Sequence, residues 1–207
     1  MPSRYRLRRI FGPPIRWAAR GFIALGLSPN TISLLAFLIA VLAALTLIFF
    51  QCFLLYALFV FIAGFLDGVD GEVARRTNRA SPVGGYLDSI LDRLADTVIL
   101  LPFLWIAPPL PYLGPAWIWV FTAIAGCILV SYTRSRAIAA GATDTDVGLA
   151  ARSERLFLLV ITSLLYILHP WSPYLGLILF SLICHLTVIY RTIYYHHQLK
   201  TRSPRKN

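Results

Sequence analysis

From Ile32 to Phe50 the chain carries no charged residue. About 20 consecutive apolar residues are what a helix needs to cross the ~30 Å hydrocarbon core of a bilayer. Within lipid the backbone must satisfy its own polar groups, so such a run folds as a helix unless it belongs to a closed barrel. The run is continuously apolar rather than alternating, which favours the helix. Five more stretches follow the same rule: from near Cys52 to Arg75–Arg79, about 83–107, about 116–140, about 150–169 and about 173–197. The expected fold class is an all-α integral membrane protein of six transmembrane helices. The composition agrees, with 58% hydrophobic and 14% charged residues against about 25% charged in soluble domains.

Charge placement tests the count. The connections near residue 51, at 108–115 and at 169–173 hold no Lys or Arg. The basic residues gather at Arg4, Arg6, Arg8 and Arg9, at 75–79, at 134–155, and in a tail with Lys200, Arg202, Arg205 and Lys206. By the positive-inside rule both termini are expected on the cytoplasmic side. The chain is thus expected in the cell membrane, multi-pass, with any site among these loops opening to the cytoplasm. The same rule accounts for 19 Lys and Arg against 9 Asp and Glu without invoking nucleic acid.

Residues 1–12 read as a cationic arm at an anionic membrane surface. Over 13–26, starting at Pro13-Pro14, one helical face carries Ile15, Ala18, Ala19 and Phe22 and another Arg16 and Arg20. That is an amphipathic helix lying in the interface. Gly26 stops it, and Ser28-Pro29 caps and opens the next helix. The expected organisation is one membrane domain over 1–207: arm and interfacial helix at 1–27, six-helix bundle at 28–197, basic tail at 198–207. No internal repeat is visible. Cys52, Cys127 and Cys184 are isolated in apolar runs, so neither a disulfide framework nor a zinc site is expected. The polar, basic first nine residues do not read as a signal peptide.

Against this background four aspartates stand out. Asp67 and Asp70 are three apart and Asp88 and Asp92 four apart. Either spacing puts two carboxylates on one helical face, a turn apart. Charges inside membrane helices are costly and mark function. Carboxylates facing each other from two helices are hard-oxygen ligands suited to Mg²⁺ or Mn²⁺. Two such ions suit displacement at phosphorus, since they stabilise the attacking and the leaving oxygen. Gly71 and Gly84 allow close approach to a diphosphate, and Arg75 is placed to meet a phosphate. Asp96 continues the row and reads as a structural partner of Arg93 or another polar group. Gly64 and Gly68 read as close helix packing, and His185 as a satisfied packing residue.

Residues 67–92 match D-x-x-D-G-x-x-A-R-x(8)-G-x-x-x-D-x-x-x-D at every fixed position. In this the chain strongly resembles the CDP-alcohol phosphotransferases, over about residues 28–195. The resemblance implies that Asp67, Asp70 and Asp88 ligate metal. It implies that Asp92 binds metal or acts as the base that deprotonates the acceptor hydroxyl. It assigns contacts with a CDP-linked lipid to Pro29, Asn30, Thr31, Asp67, Gly71, Arg75 and Ser81.

A second group is Arg134, Arg152, Arg155 and Arg191. Arg152 and Arg155 share a face in the first turn of a helix, where cations oppose the dipole unless they converge with it on an anion. With Arg134 and Arg191 at the same depth, the four form a pocket for a phosphorylated acceptor. Arg136 reads as ordinary topogenic charge. The segments 131–137 and 148–156 are similar to those of phosphatidylinositol-phosphate and archaetidylinositol-phosphate synthases, which implies inositol 1-phosphate as acceptor. Ala151 departs from that subgroup, where an acidic residue is expected.

The expected reaction is transfer of a phosphatidyl- or archaetidyl-type group from a CDP-linked lipid (CDP-diacylglycerol or CDP-archaeol) to inositol 1-phosphate, with release of CMP. Glycerol 3-phosphate, serine and an inositol derivative are the alternative acceptors. Two divalent ions, membrane lipids and a second copy of the chain in a homodimer complete the expected partners. The non-enzymatic alternative is a divalent-cation transporter. It is disfavoured because the acids in the spans all lie on the second and third helices rather than along a path.

Overall fold

A computed structural model describes residues 6–106, 113–144 and 147–202, with side chains from residue 10 to residue 201. Seven α-helices follow one another: α1 Arg6–Ala24, α2 Pro29–Phe50, α3 Phe53–Arg76, α4 Pro82–Leu100, α5 Ala116–Ala139, α6 Arg152–Leu164 and α7 Ser172–Arg202. Short 3₁₀ turns at Leu101–Trp105 and Leu165–Ile167 extend α4 and α6. No strand occurs among the described residues.

Four helices are long and apolar enough to cross a membrane: α2, α3, α5 and α7. The protein is therefore a multi-pass membrane protein by these helices. Of the other two expected spans, α4 has the length, with 19 residues, but is too charged, and α6 is short. Pro102 removes a donor and tightens the end of α4, and Tyr56 donates from its hydroxyl to the Ile99 carbonyl at 3.0 Å. α6 has 13 residues, about 20 Å at 1.5 Å per residue. α4 also carries Asp88, Asp92, Arg93 and Asp96, which lower its hydropathy.

The amphipathic helix is longer than its sequence suggests. Pro13 and Pro14 lie inside α1, not at its start. Proline's φ is already helical, and the carbonyls it leaves without donors can meet water at a headgroup surface. Phe11 anchors the first turns, edge-on to Phe61 of α3 at 5.8 Å and to Phe157 of α6 at 6.1 Å. Arg4, the prolines 108, 109 and 111, Asp146, Arg205 and Lys206 lie outside the described residues.

Small residues allow close packing. Buried Ala36, Ala40, Ala43 and Ala44 let α2 approach α3. Leu34, Leu38, Leu42 and Leu45 point outward from α2. On α3, a Cβ at Gly68 would lie 2.8 Å from the Ile15 side chain, and one at Gly64 3.4 Å from Leu156. Glycine there admits α1 and α6. On α5, Gly126 faces Cys184 and His185 of α7, and His185 Nδ1 is satisfied by the Ser181 carbonyl at 2.9 Å. Cys52, Cys127 and Cys184 are free thiols.

The start of α2, the end of α3, the start of α4, the end of α5 and the start of α6 carry the polar side chains and form one end of the bundle. Gly26 takes φ 73° as expected of a helix stop. Ser28 caps α2, accepting from the Thr31 amide at 3.2 Å, and Ser81 caps α4, accepting from the Gly84 amide at 3.0 Å. Each cap is followed by proline at the first helical position.

Candidate functional site

α3 and α4 bring their aspartates face to face. Ligand oxygens from Asp67, Asp70 and Asp88 all lie within 4.8 Å of one another. Asp70 is buried and its carboxylate is oriented from both sides. The Ser33 hydroxyl of α2 donates to Oδ2 at 2.5 Å, and the Gly71 amide donates to Oδ1. Asp92 and Asp96 continue down α4, each one turn deeper. Asp96 is 2% exposed.

The donor set suits a hard divalent cation: carboxylate oxygens, converging from two helices. Among the described residues five carboxylates (Asp67, Asp70, Asp88, Asp92 and Asp96) converge here, and only two guanidiniums form ion pairs with them. Those are Arg152 and Arg93, the latter 3.5 Å from Asp92. The excess of negative charge in a largely apolar bundle calls for further cations.

Arg152 penetrates this cluster. Its Nη1 lies 2.7 Å from Asp67 Oδ1 and 2.8 Å from Asp92 Oδ1, and its Nε donates to Asp96 Oδ1 at 2.9 Å. Asp96 thus has the polar partner the sequence calls for, and that partner is Arg152 rather than Arg93.

The aspartates open into a cavity of about 600 Å³. Its lining includes apolar side chains, Phe11 and Ile15 of α1, Phe61 and Phe65 of α3, and Leu156, Phe157 and Val160 of α6. It also includes charged ones: Asp67, Glu72, Asp88, Asp92, Glu154, Arg16, Arg75, Arg93, Arg134 and Arg152. A cavity lined by both apolar and charged side chains at an acidic cluster fits a molecule with apolar tails and an anionic head.

Of the residues expected to hold a CDP-linked lipid, Asp67, Gly71 and Arg75 line the cavity, and the other four lie at helix starts outside its lining. Pro29, Asn30 and Thr31 begin α2, and Ser81 caps α4. The two starts touch: a Cβ at Gly84 would meet Ser81 Oγ at 3.1 Å and Asn30 Oδ1 at 3.2 Å. Gly71 and Arg75 line the cavity. Arg75 is paired with Glu72 at 2.9 Å, as is Arg76 at 2.7 Å.

The four basic residues divide into two pairs. Arg134 and Arg152 line the cavity. Arg155 is buried against α7 with its guanidinium 5.8 Å from the Phe180 ring. Arg191 is buried too, and donates to the Val147 carbonyl at 2.8 Å and to the Val130 carbonyl. Arg136 is exposed.

Sequence reasoning passed over Ser33, Glu72 and Arg16. Ser33 lies one turn after Pro29 on the same helical face, a spacing that could have placed it beside the site. Nothing local could have announced Arg16, which reaches the cavity only because α1 packs on Gly68.

The sequence model of the CDP-alcohol phosphatidyltransferase family matches residues 26–189. The archaetidylinositol phosphate synthase of Pyrococcus horikoshii is 35% identical over 153 residues, covering 73% of this chain and 77% of that protein. The archaetidylinositol phosphate synthase of Methanothermobacter thermautotrophicus is 35% identical over 142 residues, 67% of this chain and 68% of that protein. Among solved structures, Mycobacterium tuberculosis phosphatidylinositol phosphate synthase in complex with manganese and citrate superposes with a TM-score of 0.76 at 25% identity. That match covers 93% of this chain and 92% of that one.

Proposed function

The chain belongs to the CDP-alcohol phosphatidyltransferase family, and from that membership we propose that it joins a CDP-linked lipid to inositol 1-phosphate. The products are a lipid phosphoinositol phosphate and CMP. The observation that carries the proposal is the cavity in which acids and arginines meet. Asp67, Asp88 and Asp92 share it with Arg134 and Arg152 and with apolar side chains. The names of the two archaeal relatives support the acceptor.

Asp67, Asp70, Asp88 and Asp92 would hold two divalent ions, Mg²⁺ or Mn²⁺, as the manganese-bound relative suggests. When bound, such ions neutralise a diphosphate and stabilise oxygens that gain charge during displacement. The chain's own groups do the rest. Asn30, Thr31 and Ser81, with Pro29 shaping the turn, would position the nucleotide end of the donor. Gly71 leaves its backbone close to the diphosphate, and Arg75 pairs with a phosphate oxygen. Asp92 takes the proton of the acceptor hydroxyl. That oxygen bonds to the lipid-side phosphorus, and the bond from phosphorus to the CMP oxygen breaks. Arg134 and Arg152 meet the acceptor's phosphate from the cavity wall. Arg155 and Arg191 complete the basic group from behind it.

The proposal includes six spans, with α4 as the charged one and α6 as the short one. It includes both termini on the cytoplasmic side of the cell membrane, a cytoplasmic opening to the site, and a homodimer. The placing of Arg75, Arg76 and Arg134 toward the ends of α3 and α5 and of Arg152 at the start of α6, on one end of the bundle, supports the orientation.

The test is product identification by mass spectrometry. Purified protein is given CDP-archaeol or CDP-diacylglycerol with inositol 1-phosphate, inositol, glycerol 3-phosphate and serine in turn. The proposal predicts a phosphoinositol phosphate lipid as the dominant product. Dominant use of glycerol 3-phosphate or serine would overturn the acceptor.

A further inference from the structure

Arg152 touches two spaces at once. It lines the large cavity and also the blind pocket between α2, α3 and α4, where Ser33, Asp70 and Ala95 close the aspartate cluster from behind. Its guanidinium is shared unequally. The Nη1 end lies between Asp67 at 2.7 Å and Asp92 at 2.8 Å, two carboxylates with roles in the proposed reaction. The Nε end lies on Asp96 at 2.9 Å, which is outside the group of mutually close ligand oxygens.

We propose that Arg152 is a built-in counter-ion that exchanges between the acidic site and the acceptor's phosphate, with Asp96 as its pivot. This rests on the proposed acceptor and deepens it. A divalent cation entering the cluster competes with Nη1 for Asp67, and like charges on one carboxylate repel. The Nε end cannot follow. Asp96 is 2% exposed, and parting the pair would leave a buried charge alone. The freed end therefore stays at the wall and turns to the cavity. There it meets Arg134, Ser153 and the first turn of α6, whose N-terminus favours an anion although Glu154 already accepts from the Ala151 amide at 3.0 Å. Asp96 acts through Arg152 and is a positioning residue. Because coupling is reciprocal, an acceptor phosphate that draws Nη1 into the cavity also vacates Asp67 and Asp92 for the cation.

The test needs no turnover. Mn²⁺ affinity is measured by electron paramagnetic resonance on the purified full-length protein without CDP-lipid. Wild type, Arg152→Gln and Arg134→Gln are compared. The double variant Asp96→Asn/Arg152→Gln is added because the single change leaves Asp96 buried without its partner. Removing the internal competitor should tighten Mn²⁺ binding about tenfold in both Arg152 variants. Arg134→Gln should stay within about twofold of wild type, because its charge is not on the acids. Inositol 1-phosphate should tighten Mn²⁺ binding to wild type about tenfold and leave both Arg152 variants unmoved.

A merely structural Arg152 predicts the opposite sign: looser Mn²⁺ binding as the site loses order. Unchanged or weaker affinity in both Arg152 variants overturns the exchange while leaving the metal site and the reaction in place. Equal tightening in Arg134→Gln overturns it too, by reducing the effect to net charge. Absence of Mn²⁺ binding by folded wild type removes the metal site itself, and the exchange with it.

Discussion

The acidic wall of the site and its basic wall are built in different ways. The acids come from two adjacent helices joined by a short turn, and every one of them faces the site. The four arginines expected for the acceptor come from α5, α6 and α7, and of these Arg134 and Arg152 reach the cavity. Arg155 and Arg191 are absorbed into the fold, one over an aromatic ring and one on two backbone carbonyls. An i, i+3 or i, i+4 spacing is a local fact about a helix, so it survives folding. Convergence of residues from three separate helices depends on how each helix rotates against its neighbours, and spacing does not set that.

The largest effects should fall on the acidic wall. Asp67→Asn or Asp88→Asn should reduce CMP release to background while the purified protein keeps its helical circular dichroism and its elution volume. Activity near wild type in either variant would dissolve the metal cluster. Asp92→Asn should lower turnover by about 10²–10⁴, the usual worth of a general base, with donor binding retained. Loss of Mn²⁺ binding in that variant would instead make Asp92 chiefly a ligand.

Next come the two halves of the basic wall, where the comparison can be sharpened. A charge-assisted hydrogen bond contributes about 1.5–3 kcal/mol. Arg134→Gln and Arg152→Gln should therefore raise the acceptor KM by roughly tenfold to a hundredfold and leave the donor KM nearly alone. Arg155→Gln and Arg191→Gln carry a different signature if burial governs them: a fall in thermal midpoint, with a smaller change in acceptor KM. Equal KM effects in all four variants would merge the halves into one phosphate site.

The smallest effect tests the frame. Ser81→Ala removes the cap of α4 and should cost about 1 kcal/mol, read as a lower thermal midpoint. Because Ser81 lies beside Asn30 and Gly84 and is proposed to contact the donor, the donor KM should rise as well. A stability loss with an unmoved donor KM would confine Ser81 to capping.

Much of the fold was legible. The apolar runs located α2, α3, α5 and α7, and Gly26 and Ser28-Pro29 marked helix ends where the structure has them. The short α6 and the 3₁₀ turn that ends α4 were not legible from hydropathy, because tertiary contacts such as Tyr56 on Ile99 stabilise the irregular turn. α1 ran past its prolines because Phe11 finds partners on α3 and α6, a long-range fact. In the site, the clustering of Asp67, Asp70 and Asp88 was written in the motif. The insertion of Arg152 among them was not, since it joins residues more than fifty positions apart.

The central claim is a cation-dependent transfer to a phosphorylated inositol, and CMP release tests it most directly. CDP-archaeol or CDP-diacylglycerol is supplied with inositol 1-phosphate or with inositol, each with Mn²⁺ or Mg²⁺ and again with chelator in excess. The account predicts CMP release with inositol 1-phosphate and metal, little with inositol, and none with chelator. Equal release with the two acceptors would contradict the basic pocket. Full release in chelator would contradict the role given to Asp67, Asp70, Asp88 and Asp92.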